Sequence, residues 1–246
     1  MDRLIYIAMT GASQTLNQQA TVAHNLANVS TPGFRAQTTA LRAAPVFGEG
    51  LKTRAFVVDS TPGADLRAGP VMHTGRELDV AVQGQGWIAV QGKDGSEAYT
   101  RNGSLMIDVE GRLLTRNGQA VLGDGGPITV PADAKISIGK DGTVSALPAG
   151  QAASTIVTAG RIKLVNPPES QLTRGTDGLF RVKGGSAEAD ANVSLADSSL
   201  EGSNVNVAET MVQMISLARQ FELQMKLLQH AESDAQKASQ LLNLNG

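Results

Sequence analysis

Three histidines and a thin scatter of carboxylates are all that this chain offers to acid–base or metal chemistry. His24 and His230 fall near its two ends, and His73 stands alone in a turn-rich stretch. Zinc hydrolysis calls for a His-Glu-x-x-His pair on one helix face, and serine hydrolysis for a nucleophile on a Gly-x-Ser-x-Gly turn; neither pattern occurs. Gly84-Gln85-Gly86 has the flexibility to approach a phosphate, but the third glycine, the Lys-Ser/Thr pair and a following helix start are missing. It reads as a turn or bulge before Trp87. Asp108, Glu110 and Gly111 lack the Asp-x-Asp-x-Asp-Gly spacing of a calcium loop and read as a hairpin end. A β-rich hydrolase would have to draw on Asp79, Asp108 or His73, and nothing groups them. The expectation is a protein with no catalytic, metal-binding or cofactor-binding residues, and not an enzyme.

Composition narrows the partners. A net charge of −2 with a pI near 5.9, and no basic run longer than two residues, gives no footprint for nucleic acid. The absence of cysteine rules out disulfides and thiolate metal sites. Met1-Asp2-Arg3-Leu4-Ile5-Tyr6-Ile7-Ala8-Met9 lacks the basic and long apolar regions of a cleavable secretory signal. No stretch approaches the roughly 18 apolar residues that insertion into a bilayer needs.

The elements that must carry any function are helical at both ends and β-like between. A first helix is expected over roughly Arg3 to Asn28, with a stripe of Ile5, Ala8, Ala12, Leu16, Ala23 and Leu26. Asn28 as a left-handed cap, with Pro32 and Gly33 behind it, ends that helix. A second begins at Asn206, where Asn206 and Glu209 form a capping box, and runs uninterrupted to Leu244, about 58 Å. Its stripe is Val207, Met211, Met214, Ala218, Phe221, Met225 and Leu228, and a second apolar set includes Val212, Ile215 and Leu227. A helix with an apolar stripe cannot stand alone in water, so these ends pack on each other or on another subunit. Apolar residues on more than one side, and small residues that permit close approach, favour assembly.

Between the ends, turn dipeptides recur at Asp94-Gly95, Asn102-Gly103, Glu110-Gly111, Asn117-Gly118, Asp124-Gly125 and Asp141-Gly142, a spacing that suits short antiparallel strands. Leu78, Val80 and Val82 alternate with polar or small residues as a half-buried strand would. Residues 161–165 and 178–182 read as a further strand pair. Of the 27 glycines, 24 lie between residues 36 and 205, which sets the domain limits. The fold class is therefore α+β: a discontinuous N/C-terminal helical, coiled-coil-like domain with an inserted antiparallel all-β domain. Residues 1–35 and 206–246 form the assembly domain, 36–70 an extended connector with little structure of its own, and 71–205 the β-rich outer domain.

Four motifs carry a resemblance. Asn25-Leu26-Ala27-Asn28-Val29-Ser30-Thr31-Pro32-Gly33-Phe34-Arg35 resembles the N-terminal signature of bacterial flagellar rod and hook proteins. Leu78-Asp79-Val80-Ala81-Val82-Gln83-Gly84-Gln85-Gly86-Trp87 resembles that family's first β-domain signature, with Tyr99-Thr100-Arg101-Asn102-Gly103 following in the usual place. Gly202-Ser203-Asn204-Val205-Asn206-Val207, then Met214-Ile215, Arg219 and Phe221-Glu222, is similar to the C-terminal signature. His24 and Gln85 depart from the pattern, standing where asparagine and aspartate are usual. The opening residues and short length most resemble a rod protein of the basal body.

The resemblance implies a structural subunit of the proximal rod, exported unfolded and uncleaved by the flagellar type III apparatus. Such subunits polymerise head-to-tail with themselves and with other rod subunits, proximal and distal, into a helical tube across the periplasm. The tube transmits torque and forms part of the export channel. The terminal helices line its inner layer and stay disordered until assembly, and the β-domain lies outside. The expected assembly residues are Ile5, Ala8, Ala12, Leu16, Ala23, Asn25, Leu26 and Asn28, with Val207, Met211, Met214, Ala218, Phe221, Met225 and Leu228. The alternatives are a distal rod or hook-type subunit of the same family, or a β-rich hydrolase with a helical oligomerisation handle.

Overall fold

The computed structural model describes residues 2–45, 55–131, 134–148 and 156–243. They fall into two compact units, each assembled from separated stretches of chain. One takes the described residues of 1–28, 36–65 and 205–246; the other takes 29–35 and 66–204.

The first unit holds both helices, α1 (Asp2–Ala27) and α2 (Val207–Asn243). They pack on each other along sides that repeat every seven residues. On α1 the buried positions are Ala12, Thr15, Val22 and Asn25. On α2 the buried or half-buried positions are Thr210, Met214, Leu217, Phe221, Gln224, Leu228 and Ala231, alternating steps of four and three as a coiled-coil seam does. Asn206 caps α2: its Oδ1 accepts the Glu209 N–H at 3.3 Å. α1 ends differently from the left-handed cap expected at Asn28. Among the described residues the one non-glycine with positive φ is Ser198, at 49°. Asn28 instead donates its N–H to the Asn25 carbonyl at 3.1 Å and its side-chain amide to the His24 carbonyl at 2.9 Å. Two of the orphan carbonyls of the last turn are thereby satisfied without a left-handed residue.

Residues 36–65, expected as an extended connector, contain a ribbon of two antiparallel strands, β1 (Gln37–Pro45) and β2 (Ala55–Ala64). They pair from Gln37 with Ala64 to Pro45 with Ala55, with a register shift between Thr38 and Ala40. A two-stranded ribbon cannot build its own core. It packs against α1.

The second unit is all β. Its strands are β3 (Val71–His73), β4 (Val80–Gln83), β5 (Trp87–Gln91), β6 (Glu97–Thr100), β7 (Leu105–Ile107), β8 (Leu113–Thr115), β9 (Leu122–Gly123) and β10 (Gly126–Pro127). They continue as β11 (Ala134–Ile138), β12 (Thr143–Pro148), β13 (Val157–Arg161), β14 (Leu164–Val165), β15 (Leu172–Arg174), β16 (Phe180–Val182), β17 (Ser194–Asp197) and β18 (Ser199–Glu201). The largest sheet has the order β14-β5-β6-β16-β15, and a second runs β11-β12-β13. The pairs β17–β4, β18–β3, β7–β8 and β9–β10 complete the unit, every pairing antiparallel. A common core gathers Val80, Ile88, Val90, Leu105, Leu113, Val121 and Val144, all fully buried.

The hairpins β5–β6, β7–β8 and β11–β12 close at Gly95, Gly111 and Gly142, whose φ values of 79°, 79° and 85° exclude other residues without strain. Asn102-Gly103 is no hairpin; a Cβ on Gly103 would lie 1.7 Å from the Val80 carbonyl oxygen, so glycine here permits backbone contact. Two strand expectations change. β4 is not half-buried, since Ala81 is enclosed as fully as Val80 and Val82. Residues 161–165 and 178–182 contribute β14 and β16 to one sheet, but β5 and β6 lie between them.

Candidate functional site: an apolar helical surface and a buried ion cluster

In the helical unit, the expected assembly residues divide between two environments. Ala12 and Asn25 are buried, and Ile5, Ala8, Leu26, Asn28, Met214, Ala218, Phe221 and Leu228 are half-buried. Leu16, Ala23, Val207, Met211 and Met225 are exposed, so they stand off the seam between α1 and α2. Asn25 already has its partners: Nδ2 donates to the Gln37 carbonyl and Oδ1 accepts the Gln37 N–H, both at 2.8 Å. The side-chain amide thus takes the place of a neighbouring strand at the start of β1.

The exposed apolar surface extends beyond those five. Tyr6 and Met9 on α1, and Val212, Ile215, Leu223 and Leu227 on α2, are all more than two-fifths exposed. A helix with that much apolar surface in water is more apolar than its own unit can cover.

The β unit has a different centre. Glu201, 1% exposed, accepts from Arg35 Nη2 at 2.6 Å, from Arg101 Nη1 at 3.0 Å and from the Gly69 N–H at 2.9 Å. Its own carbonyl accepts the Gly33 N–H at 2.7 Å. Arg35 and Arg101 flank the single tryptophan, their guanidinium carbons 5.8 and 5.4 Å from the centroid of Trp87. Trp87 in turn leans on Phe180, centroids 4.6 Å apart. Arg174 sits over Phe34 and donates to the Arg35 carbonyl at 2.8 Å. Burial pushes the Arg101 guanidinium below its ordinary value, and the Glu201 carboxylate opposes that shift. Gly33 seats the strap that carries Arg35. Its φ is 67°, and a Cβ there would lie 2.2 Å from the Arg101 carbonyl carbon. This cluster escaped the sequence reading of function. Its signal was the placing of Arg35, Trp87 and Arg101 inside three of the four motifs, with Glu201 immediately before the fourth.

A second polar relay lies on the same sheet. Tyr99 donates to Glu97 at 2.8 Å and accepts the Ala187 N–H at 2.6 Å, while Lys163 holds both oxygens of Glu97 at 2.8 and 2.9 Å. Burial pushes the Tyr99 phenol up to about 12. Each group is committed to another, which suits a locked core.

His24, His73 and His230 are exposed and lie on three different elements. Among the described residues no group of three or more His, Asp or Glu side chains could hold a metal ion. Nor is any described helix long and apolar enough to cross a membrane.

Comparison with known proteins agrees with the motifs. Residues 5–35 match the family described as flagella basal body rod protein, residues 81–146 the flagellar hook protein FlgE/F/G D1 domain, and residues 196–241 the flagellar basal body rod FlgEFG protein C-terminal region. The chain is 51% identical to the flagellar basal-body rod protein FlgF of Escherichia coli, over 100% of both chains. It is 49% identical to FlgF of Salmonella typhimurium, again over 100% of both. FlgF of Buchnera aphidicola is 32% identical over the same full span of each chain. These relatives are rod proteins and not enzymes by name, and with half of all positions shared from end to end, the chain belongs to the FlgF family of flagellar basal-body rod proteins.

Proposed function

We propose that this chain is a structural subunit of the proximal part of the flagellar rod, joining itself and other rod subunits into a helical tube through its terminal helices. The observation that carries this reading is the surplus of apolar surface on α1 and α2. Met9, Leu16, Met211, Val212 and Ile215 remain exposed after the two helices have covered each other. Contacts between unlike faces of identical subunits generate an open helix when the rotation does not close, which is the geometry of a tube. In this reading the tube transmits torque across the periplasm and encloses part of the export channel, and the chain reaches it through the flagellar type III apparatus without cleavage.

The test charges the exposed side and leaves the seam alone. Met211→Asp, Val212→Asp and Ile215→Asp each place a carboxylate where a neighbour would bury it unpaired, at a cost of several kcal/mol per contact. Swimming should be lost, while the circular dichroism of the purified chain stays unchanged. Met214→Asp or Phe221→Asp would strike the side of α2 that faces α1, and would open the helical pair as well. Motile cells carrying all three outward substitutions would end the proposal.

A further inference from the structure

The seam between α1 and α2 is apolar except for one layer. Thr15 is 2% exposed, and its Oγ1 lies 3.0 Å from the Gly11 carbonyl and 3.1 Å from Gln224 Oε1. Gly11 makes the room: a Cβ there would stand 3.3 Å from Gln224 Nε2. Beside it, Gln14 Oε1 is buried with no hydrogen-bond partner. One turn or two away the covered side chains are Ala12 and Val22 on α1, and Leu217, Phe221 and Leu228 on α2.

We infer that this layer is a register lock. Along both helices the covered positions recur every seven residues, so a slip of seven, about 10 Å along the axis, would again set apolar side chains against apolar ones. Hydrophobic burial alone barely distinguishes those arrangements. The polar layer does. After such a slip Gln224 would meet Ala8 or Val22, and its amide would be buried against side chains that can neither donate nor accept. A single polar layer in an apolar seam costs stability and fixes the alignment in return. The alignment of α1 against α2 decides which apolar residues stay outside, and therefore which surface the pair presents. This inference concerns the isolated chain and holds independently of the rod assignment.

The test uses the cysteine-free sequence. Spin labels at Ser13→Cys and Glu222→Cys, both exposed positions, report the distance between the helices in the full-length chain by pulsed electron resonance. The parent should give one narrow distance. In the Thr15→Val/Gln224→Leu background a second maximum should appear, while the melting temperature of the helices rises. Thr15→Ser, which keeps the hydroxyl, should behave as the parent does. One unchanged maximum in the double variant overturns the lock, as does a broad distribution in the parent. Loss of helicity in the double variant overturns it too, because the layer would then be a support and not a register device.

Discussion

At the scale of single residues, the decisive object is Glu201. Two guanidiniums and one backbone N–H converge on its carboxylate, and none of the three groups can reach water to compensate for its loss. Removing one member of such a cluster leaves charge buried without a counter-charge, a penalty of about 3–5 kcal/mol. Replacing the whole cluster with apolar groups of similar size removes both the attraction and the desolvation cost, and is often neutral. Glu201→Ala should therefore lower the unfolding free energy of the β unit by about 3–5 kcal/mol. Arg35→Met/Arg101→Met/Glu201→Leu should recover most of it. Urea titration followed by Trp87 fluorescence reads both, since the sole tryptophan lies between the two guanidiniums. If the triple variant were as weak as the single, the cluster would be a net source of stability. The alternative is that it chiefly specifies which segments meet.

At the scale of elements, the two helices were legible before the structure and their facing sides were not. Apolar spacing picked out Val207, Met211, Met214, Ala218, Phe221, Met225 and Leu228, whereas the seam runs through Thr210, Met214, Leu217, Phe221, Gln224, Leu228 and Ala231. Both sets step by four and three and share Met214, Phe221 and Leu228. A reading by hydrophobicity drops Thr210 and Gln224, because they are polar, and gains Met211 and Met225, which face outward. On a helix apolar on two sides, periodicity fixes the element and leaves its rotation open. The hairpin glycines were legible for a stronger reason, since a positive φ admits few other residues. The ribbon of β1 and β2 was hidden because its order depends on contacts outside itself, with α1 packed against it and Asn25 pairing both polar groups of Gln37. Asn25→Ala would leave the Gln37 N–H and carbonyl half-buried without partners, at about 1–3 kcal/mol. Hydrogen exchange should then quicken along Gln37–Pro45 and leave β5 and β6 unchanged. Equal loss of protection in both would show that the ribbon and the β unit open together.

At the scale of the whole molecule, the chain leaves and re-enters the β unit in an order that glycine content could not reveal. The composition shift near residue 36 made the first 35 residues look like one helical segment. The boundary falls earlier, because residues 29–35 are cemented to the β unit by Gly33 and Arg35. The strap has almost no apolar pattern of its own. Its membership rests on a backbone hydrogen bond, a close approach at a left-handed glycine and one ion pair to a residue 166 positions away. Two deletions separate the readings. A chain lacking residues 1–28 keeps the strap, so the β unit should fold and resist protease over roughly 29–204. A chain lacking residues 1–35 loses the Gly33 N–H that Glu201 accepts and one of its two guanidiniums. Its β unit should be cut rapidly, and the Trp87 emission should shift toward that of the unfolded chain. Were the shorter chain as resistant as the longer one, the strap would be a passenger on the β unit, and the boundary near residue 36 would be the true one.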